Sequence, residues 1–289
     1  MEKDLFGNEV IKDVILRDKF IEPPFSILDT KTGSWQSRKN QWKKLGIKSE
    51  IGRDQNLTYG NFNPSKGDPE RFNKMSTSTF DPALCEVIYH WFCKPNGMIL
   101  DCFAGGSVRG IVANYLGYKY TGIELRQEQV DSNREQGLDI LQVDNQPNWY
   151  VGDSNKILDG FTQKFDLVFS CPPYAFLEKY SDLEDDISNM PYDKFLEIYE
   201  SIIKKSCDLL HDDGYACFVV GEIRDKKGNY VGFVPDTIKA FQKCGMNYYN
   251  ECILLNNSAS ASMRAAGNMK SKKLVKIHQN VLIFRKTNE

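Results

Sequence analysis

Several kinds of chemistry are short of residues in this chain. Only three histidines occur among 289 residues, at 90, 211 and 278, and none stands at a ligand spacing from another. Eight cysteines are present, at 85, 93, 102, 171, 207, 217, 244 and 252, yet no two form a C-x-x-C pair. The Cys and His ligands of a structural zinc come in closely spaced pairs, so no metal site is expected. The same spacing argues for reduced thiols rather than a disulfide framework. Neither sign of charge is in excess: 37 Lys and Arg oppose 39 Asp and Glu, a formal net charge of −2. That excludes a global basic field, so a nucleic-acid partner requires a local basic patch. No apolar run approaches the ~18 residues of a membrane helix. The acidic start at residues 1–9 lacks the basic n-region of a signal peptide, and no nucleotide P-loop is present. The expectation is a soluble cytoplasmic protein.

Residues 1–75 are polar with scattered aromatics, and they read as an N-terminal extension. Within them Trp35 and Trp42 stand seven apart, so one helix face can carry both, with Arg38, Lys39, Lys43 and Lys44 around it; the tryptophans read as core. Residues 47–75 read as irregular loop. From residue 80 the pattern changes. Phe80-Asp81-Pro82 can start a helix, with Asp81 as cap and Pro82 at its first position. Strands at Met98–Asp101, Tyr120–Glu124, Trp149–Val151, Phe165–Ser170 and Gly214–Gly221 then alternate with helical segments. Tyr248–Leu255 and Asn280–Arg285 follow as two further strands. The segment between them, 256–276, reads as a mobile basic loop. This order predicts a doubly wound, mostly parallel α/β sheet with an antiparallel C-terminal edge, formed by a domain over 76–289.

Two strand ends carry the functional signal. In Asp166-Leu-Val-Phe-Ser-Cys-Pro-Pro-Tyr174 an apolar strand is stopped by two prolines that cannot donate ladder hydrogen bonds. This leaves Cys171 and Tyr174 at a carboxyl end, where open α/β sheets bind ligands. About seventy residues upstream, Met98-Ile-Leu-Asp-Cys-Phe-Ala-Gly-Gly-Ser107 ends a strand in small residues that admit a ligand close to the backbone. The helix after it offers its N-terminal amides to an anion. The pair, in this order, resembles the S-adenosylmethionine-dependent amino methyltransferases of DNA, with their Rossmann-like sheet, over roughly residues 80–286. The usual first motif there is Asp-Pro-Phe-x-Gly-Ser-Gly. Here Cys102 replaces Pro, and Gly106-Ser107 stands where Ser-Gly is common.

The resemblance implies S-adenosylmethionine held by Asp101, Phe103, Ala104, Gly105, Gly106 and Ser107. Glu124 would take the ribose hydroxyls, since a carboxylate accepts two hydrogen bonds from a diol. Asp153 and Ser154 fall at the adenine position, although Asp153 would also cap the next helix. Phe80 and Asp81 fall at the N-terminal cofactor motif, with a plain helix cap as the other reading of Asp81. In the resembling family the side chain before Pro-Pro and the first proline's carbonyl accept the hydrogens of the target amine, here Cys171 and Pro172. Pro173 stiffens the turn, and Tyr174 stacks on a base flipped out of duplex DNA.

Cys171 departs from the family's Asp, Asn or Ser, and a thiol accepts weakly. Either the Pro172 carbonyl suffices, or the target base differs, or methyl transfer is lost. Adenine N6 is favoured over cytosine N4. An RNA or protein methyltransferase, or a degenerate DNA-binding subunit, are the alternatives. Residues 25–39 with 103–110 also look like methylases carried by bacteriophages and prophages. DNA contacts would fall to residues 1–75, the acidic, lid-like segment 175–194 and the basic loop 256–276. No endonuclease motif accompanies them.

Overall fold

Strand periodicity decides which side chains enter which layer. In β5 (Phe165–Ser170), Leu167 and Phe169 join one core cluster while Val168 joins the other, because successive strand side chains point to opposite faces; Phe165 breaks the alternation, where the register with the next strand shifts between Phe165 and Leu167. A computed structural model describes residues 13–48, 80–175, 181, 183, 185–256 and 260–287. Its elements are α1 (Asp13–Phe20), β1 (Ile27–Asp29), α2 (Gly33–Lys44), α3 (Pro82–Phe92), β2 (Met98–Asp101), α4 (Val108–Tyr115), β3 (Lys119–Glu124), α5 (Gln127–Ile140), β4 (Asn148–Val151), α6 (Ser154–Ile157), β5, α7 (Tyr192–Asp208), β6 (Leu210–Val220), α8 (Phe233–Lys243), β7 (Asn247–Leu255), α9 (Ser260–Lys270) and β8 (His278–Arg285).

The strands form one sheet in the order β1-β7-β8-β6-β5-β2-β3-β4. β8 runs antiparallel to β6 and β7, and the other neighbouring pairs are parallel. From β2 the chain winds outward through β3 to β4, and from β5 it winds the other way to β6. The direction therefore reverses between β2 and β5, and such a switch point opens a crevice at the carboxyl ends of the strands. Both candidate motifs end on those two strands. The expected fold class is borne out.

Residues 13–48, expected as an N-terminal extension, contribute a strand to the same sheet. β1 continues the sheet beyond the antiparallel strands, pairing Ile27, Leu28 and Asp29 with Ile253, Leu254 and Leu255. α2 starts at Thr32, whose hydroxyl accepts the Trp35 amide at 3.3 Å. Its Trp35 and Trp42 are buried in the core, on one face as their spacing predicts. Each indole N–H reaches a carboxylate at the start of α3: Trp35 Nε1 donates to Asp81 at 3.2 Å and Trp42 Nε1 to Glu86 at 2.9 Å. Most of the expected irregular loop 47–75, and residues 176–180, 182 and 184 of the acidic segment 175–194, lie outside the described residues.

Segment 256–276 departs from its expectation. Residues 260–270 are helical as α9, because Ala-rich sequence favours helix even with little packing to support it. A turn at 223–231 was also not foreseen.

Trp35→Ala removes a fully buried indole and one of the hydrogen-bond donors to Asp81. A loss of about 3–5 kcal/mol is expected, read as a lower urea midpoint with an unchanged slope.

Candidate active site

The turn after β2 is organised by a carboxylate that solvent does not reach. Asp101 is fully buried. Its Oδ2 accepts Arg109 Nε at 2.5 Å and the Tyr120 hydroxyl at 2.7 Å. Its Oδ1 accepts the Ser170 hydroxyl at 2.6 Å and the Phe103 amide at 3.2 Å. Arg109 goes on to donate to the carbonyls of Phe103 and Ala104 at 2.6 and 2.8 Å. One guanidinium thus binds both the carboxylate and the turn above it. Burial works against its charge, but the Asp101 carboxylate outweighs this and holds Arg109 protonated beyond its usual range. The Phe80 ring lies 4.5 Å from the guanidinium carbon, a cation–π contact.

The turn closes against β3. Ala104 N donates to Ile123 O at 3.0 Å, and Gly105 N to Glu124 Oε2 at 3.0 Å. Gly105 has φ +56°, so the backbone calls for glycine, and where a side chain would stand there is only open space. The other Glu124 oxygen accepts the Arg126 amide at 3.0 Å. Burial raises the Glu124 pKa, while these amides and the Arg126 charge oppose the rise. At the end of β4, Ser154 Oγ donates to Cys102 O at 2.6 Å, and Asp153 accepts the Asn155 amide at 2.8 Å as the cap of α6. Cys102 lies beneath, its thiol pushed up to about 12 by burial, and an undissociated buried thiol is inert.

β5 delivers the second motif. Ser170 Oγ also lies 3.1 Å from the Phe103 amide, so this hydroxyl joins the last residue of β5 to the turn after β2. Cys171, partly buried, follows directly, then Pro172, Pro173 and Tyr174. The Tyr174 ring packs against Phe233 at the start of α8, 6.1 Å between centroids. Its hydroxyl accepts Gln279 Nε2 from β8 at 2.5 Å.

The structure therefore brings the two motifs together and divides the sequence-derived residues by role. Phe103, Gly105, Gly106, Glu124 and Asp153 keep partial exposure around the crevice. Asp101, Ser107 and Ser154, read from the sequence as cofactor contacts, direct their polar groups into the protein. For Asp101 that follows from the four donors around it, and the Ser107 hydroxyl donates to Gln136 at 2.6 Å. Asp81 serves as the cap of α3 and accepts Lys39 Nζ at 2.8 Å. Arg109, Ser170 and Gln279 were missed as supports. Arg109 had a signal: a lone charge in the apolar and small run Val108–Ala113 has to find a buried acid.

Residues 20–135 match the family model described as DNA methylase, of the N6/N4 type. The match covers the turn after β2 and Glu124 and stops short of Asp153 and Cys171. No curated protein matches this chain. Among solved structures, similarity extends to TrmN from Thermus thermophilus, at 12% identity and TM-score 0.49, over 72% of this chain and 50% of that one. A methyltransferase from Pyrococcus furiosus gives 17% and 0.47, over 88% and 98%. Magnesium protoporphyrin IX methyltransferase from Synechocystis, solved with bound SAM, gives 12% and 0.45, over 97% and 100%. The chain spans half the length of TrmN.

Arg109→Met keeps the side-chain bulk and strands a buried carboxylate. Removing one partner of a buried pair costs about 3–5 kcal/mol, and chemical denaturation is expected to show a loss of that size.

Proposed function

We propose that the chain transfers a methyl group from S-adenosylmethionine to the exocyclic amino group of a DNA base, adenine N6 in preference to cytosine N4. The observation that carries this reading is the Ser170 hydroxyl bonded to both Asp101 and the Phe103 amide. It sets Cys171-Pro172-Pro173-Tyr174 beside the glycine turn at the switch point. The DNA methylase match over residues 20–135 supports the choice of polymer.

The residues fit the cofactor on two counts. Gly105 leaves open space where any other residue would place its side chain, and Glu124 offers a carboxylate suited to a ribose diol. When bound, S-adenosylmethionine supplies an electrophilic methyl on a sulfonium sulfur. The chain's contribution is to hold and orient. Phe103, Ala104, Gly105 and Gly106 form the floor, the N-terminus of α4 favours the methionine carboxylate, and Asp153 accepts from the adenine amine. Asp101 and Arg109 fix the shape of that floor.

An exocyclic amine is a poor nucleophile because its lone pair is delocalised into the ring. Acceptors on its two hydrogens make the nitrogen more tetrahedral and direct the lone pair. The Pro172 carbonyl, held rigid by Pro173, is the strong acceptor and the Cys171 thiol the weak one. Tyr174 stacks on the base, which has to leave the duplex to reach the crevice.

Incubation with methyl-labelled cofactor and unmethylated DNA, then digestion to nucleosides and mass spectrometry, is expected to yield N6-methyladenine. Unmodified nucleosides from a protein that binds the cofactor would move the activity to RNA or protein. Tyr174→Ala should abolish transfer and leave cofactor affinity within about threefold; loss of cofactor binding would contradict the stacking role.

Glu124 also predicts a pH dependence. Its ionised form accepts from the ribose, and its pKa lies above the ordinary 4.5. Cofactor affinity should therefore weaken as pH falls toward that raised pKa, at a higher pH than for an unperturbed glutamate. By calorimetry, Glu124→Gln should bind weakly at neutral pH and show no such decline.

A further inference from the structure

Beyond β6, at the same end of the sheet, a short turn serves none of the roles above. Residues 223–231 fold back on themselves: Val231 N donates to Ile223 O at 3.0 Å, Asp225 N to Asn229 O at 2.9 Å, and Arg224 bridges Tyr230. Gly228, at φ +89°, completes a tip of Lys226-Lys227-Gly228. The acids here serve the backbone. Asp225 accepts the Asn229 amide at 2.8 Å. Glu222 accepts the amides of Ile223, Gly232 and Phe233 at 3.1, 2.9 and 2.9 Å. Arg224 lies 3.9 Å from the centre of the exposed Tyr230 ring. Lys226 and Lys227 are exposed, and no ion pair engages them among the described residues.

A second basic element meets this turn. Residues 256–277 contain no acid and five cations, Arg264, Lys270, Lys272, Lys273 and Lys276. α9 stands off the body with residues 262–267 exposed. The end of the Lys273 side chain lies directly over Gly228. Like charges drawn together on two separate elements repel, and a polyanion would relieve that repulsion.

The root of the arm is tied to the candidate site. Asn256 Nδ2 donates to Gln279 Oε1, and Gln279 Nε2 to the Tyr174 hydroxyl, each at 2.5 Å. The arm thus leaves and re-enters the sheet beside the ring assigned to the flipped base.

We propose that the turn 223–231 and the arm carrying α9 grip the DNA duplex next to the target base. This rests on the DNA reading of the site. Lys226, Lys227 and Lys273 contact phosphates, and α9 enters the major groove. Eleven residues of helix span about 16 Å, and the groove admits one helix. Ala265, Ala266 and Gly267 permit close approach, and Arg264 reads a base edge, with guanine its usual bidentate partner.

The test measures binding of the full chain to duplex DNA across a salt series, with methylated products sequenced from a randomised duplex library. Lys226→Ala with Lys227→Ala should weaken binding across all sequences and reduce the salt slope by about 2. Arg264→Ala should reduce sequence discrimination at one position by about tenfold or more. Both should bind S-adenosylmethionine as the wild type does. Wild-type slope and sequence preference in both variants would overturn this proposal and leave the methyltransferase reading standing. A wild-type protein that binds no duplex would overturn the DNA reading, and this proposal with it.

Discussion

A carboxylate sealed in the sheet is tolerable only when every lone pair is met and its charge is opposed. Asp101 satisfies both conditions through donors from four places: Arg109 on α4, Tyr120 on β3, Ser170 on β5 and the Phe103 amide in its own turn. Each donor is a distance constraint between β2 and a neighbouring element. Together they fix how the turn leaves β2, how far β5 reaches and where α4 begins. A buried ion pair is weak evidence of net stability. Its contribution here is geometric, since the crevice at the switch point is assembled around it. Glu124 repeats the device nearer to solvent, bonding the amides of Gly105 and Arg126 across two turns.

The second half of the site depends on apolar packing. Phe195, Tyr199, Phe218, Phe233 and Phe241 are fully buried and join α7 and α8 to β6. Tyr174 rests on the edge of that group through Phe233 and is set by Gln279 from β8. The antiparallel strand therefore does more than close the sheet, because it brings a side-chain amide to the tyrosine hydroxyl. One half of the site is rigid because its polar groups are satisfied, the other because its rings are packed.

The sequence was most legible where a local rule and the tertiary structure agree. β2, β5 and the start of α3 were readable because apolar runs end abruptly in Gly, Pro or Asp, and each stop has a local mechanism. β1 was not, since three residues are too few for periodicity to register and its pairing with β7 lies more than 220 positions away. α9 was read as loop because its helical face has no apolar stripe, and its exposure explains why. Asp101, Ser107 and Ser154 show a different limit. The motif marks their positions, but whether a side chain faces a ligand or the protein depends on partners such as Arg109 and Gln136, which only folding brings near.

Charge is where composition said least. A net charge of −2 describes a chain without a dominant field, and it conceals how the cations are distributed. On α7 and α8, Lys204, Lys205 and Lys243 pair with Asp208, Asp159 and Glu200 at 2.6–2.7 Å. Such exposed pairs contribute little stability, but they neutralise that face. On the turn 223–231 and the arm carrying α9 the balance differs: their cations have no ion-pair partner among the described residues, while Glu222 and Asp225 bond backbone amides. With salt screening charges beyond about 10 Å at 0.1 M, a distant acidic surface does not cancel a local basic one. A chain that is slightly acidic overall therefore carries a local cationic surface on the turn 223–231 and the arm beside it.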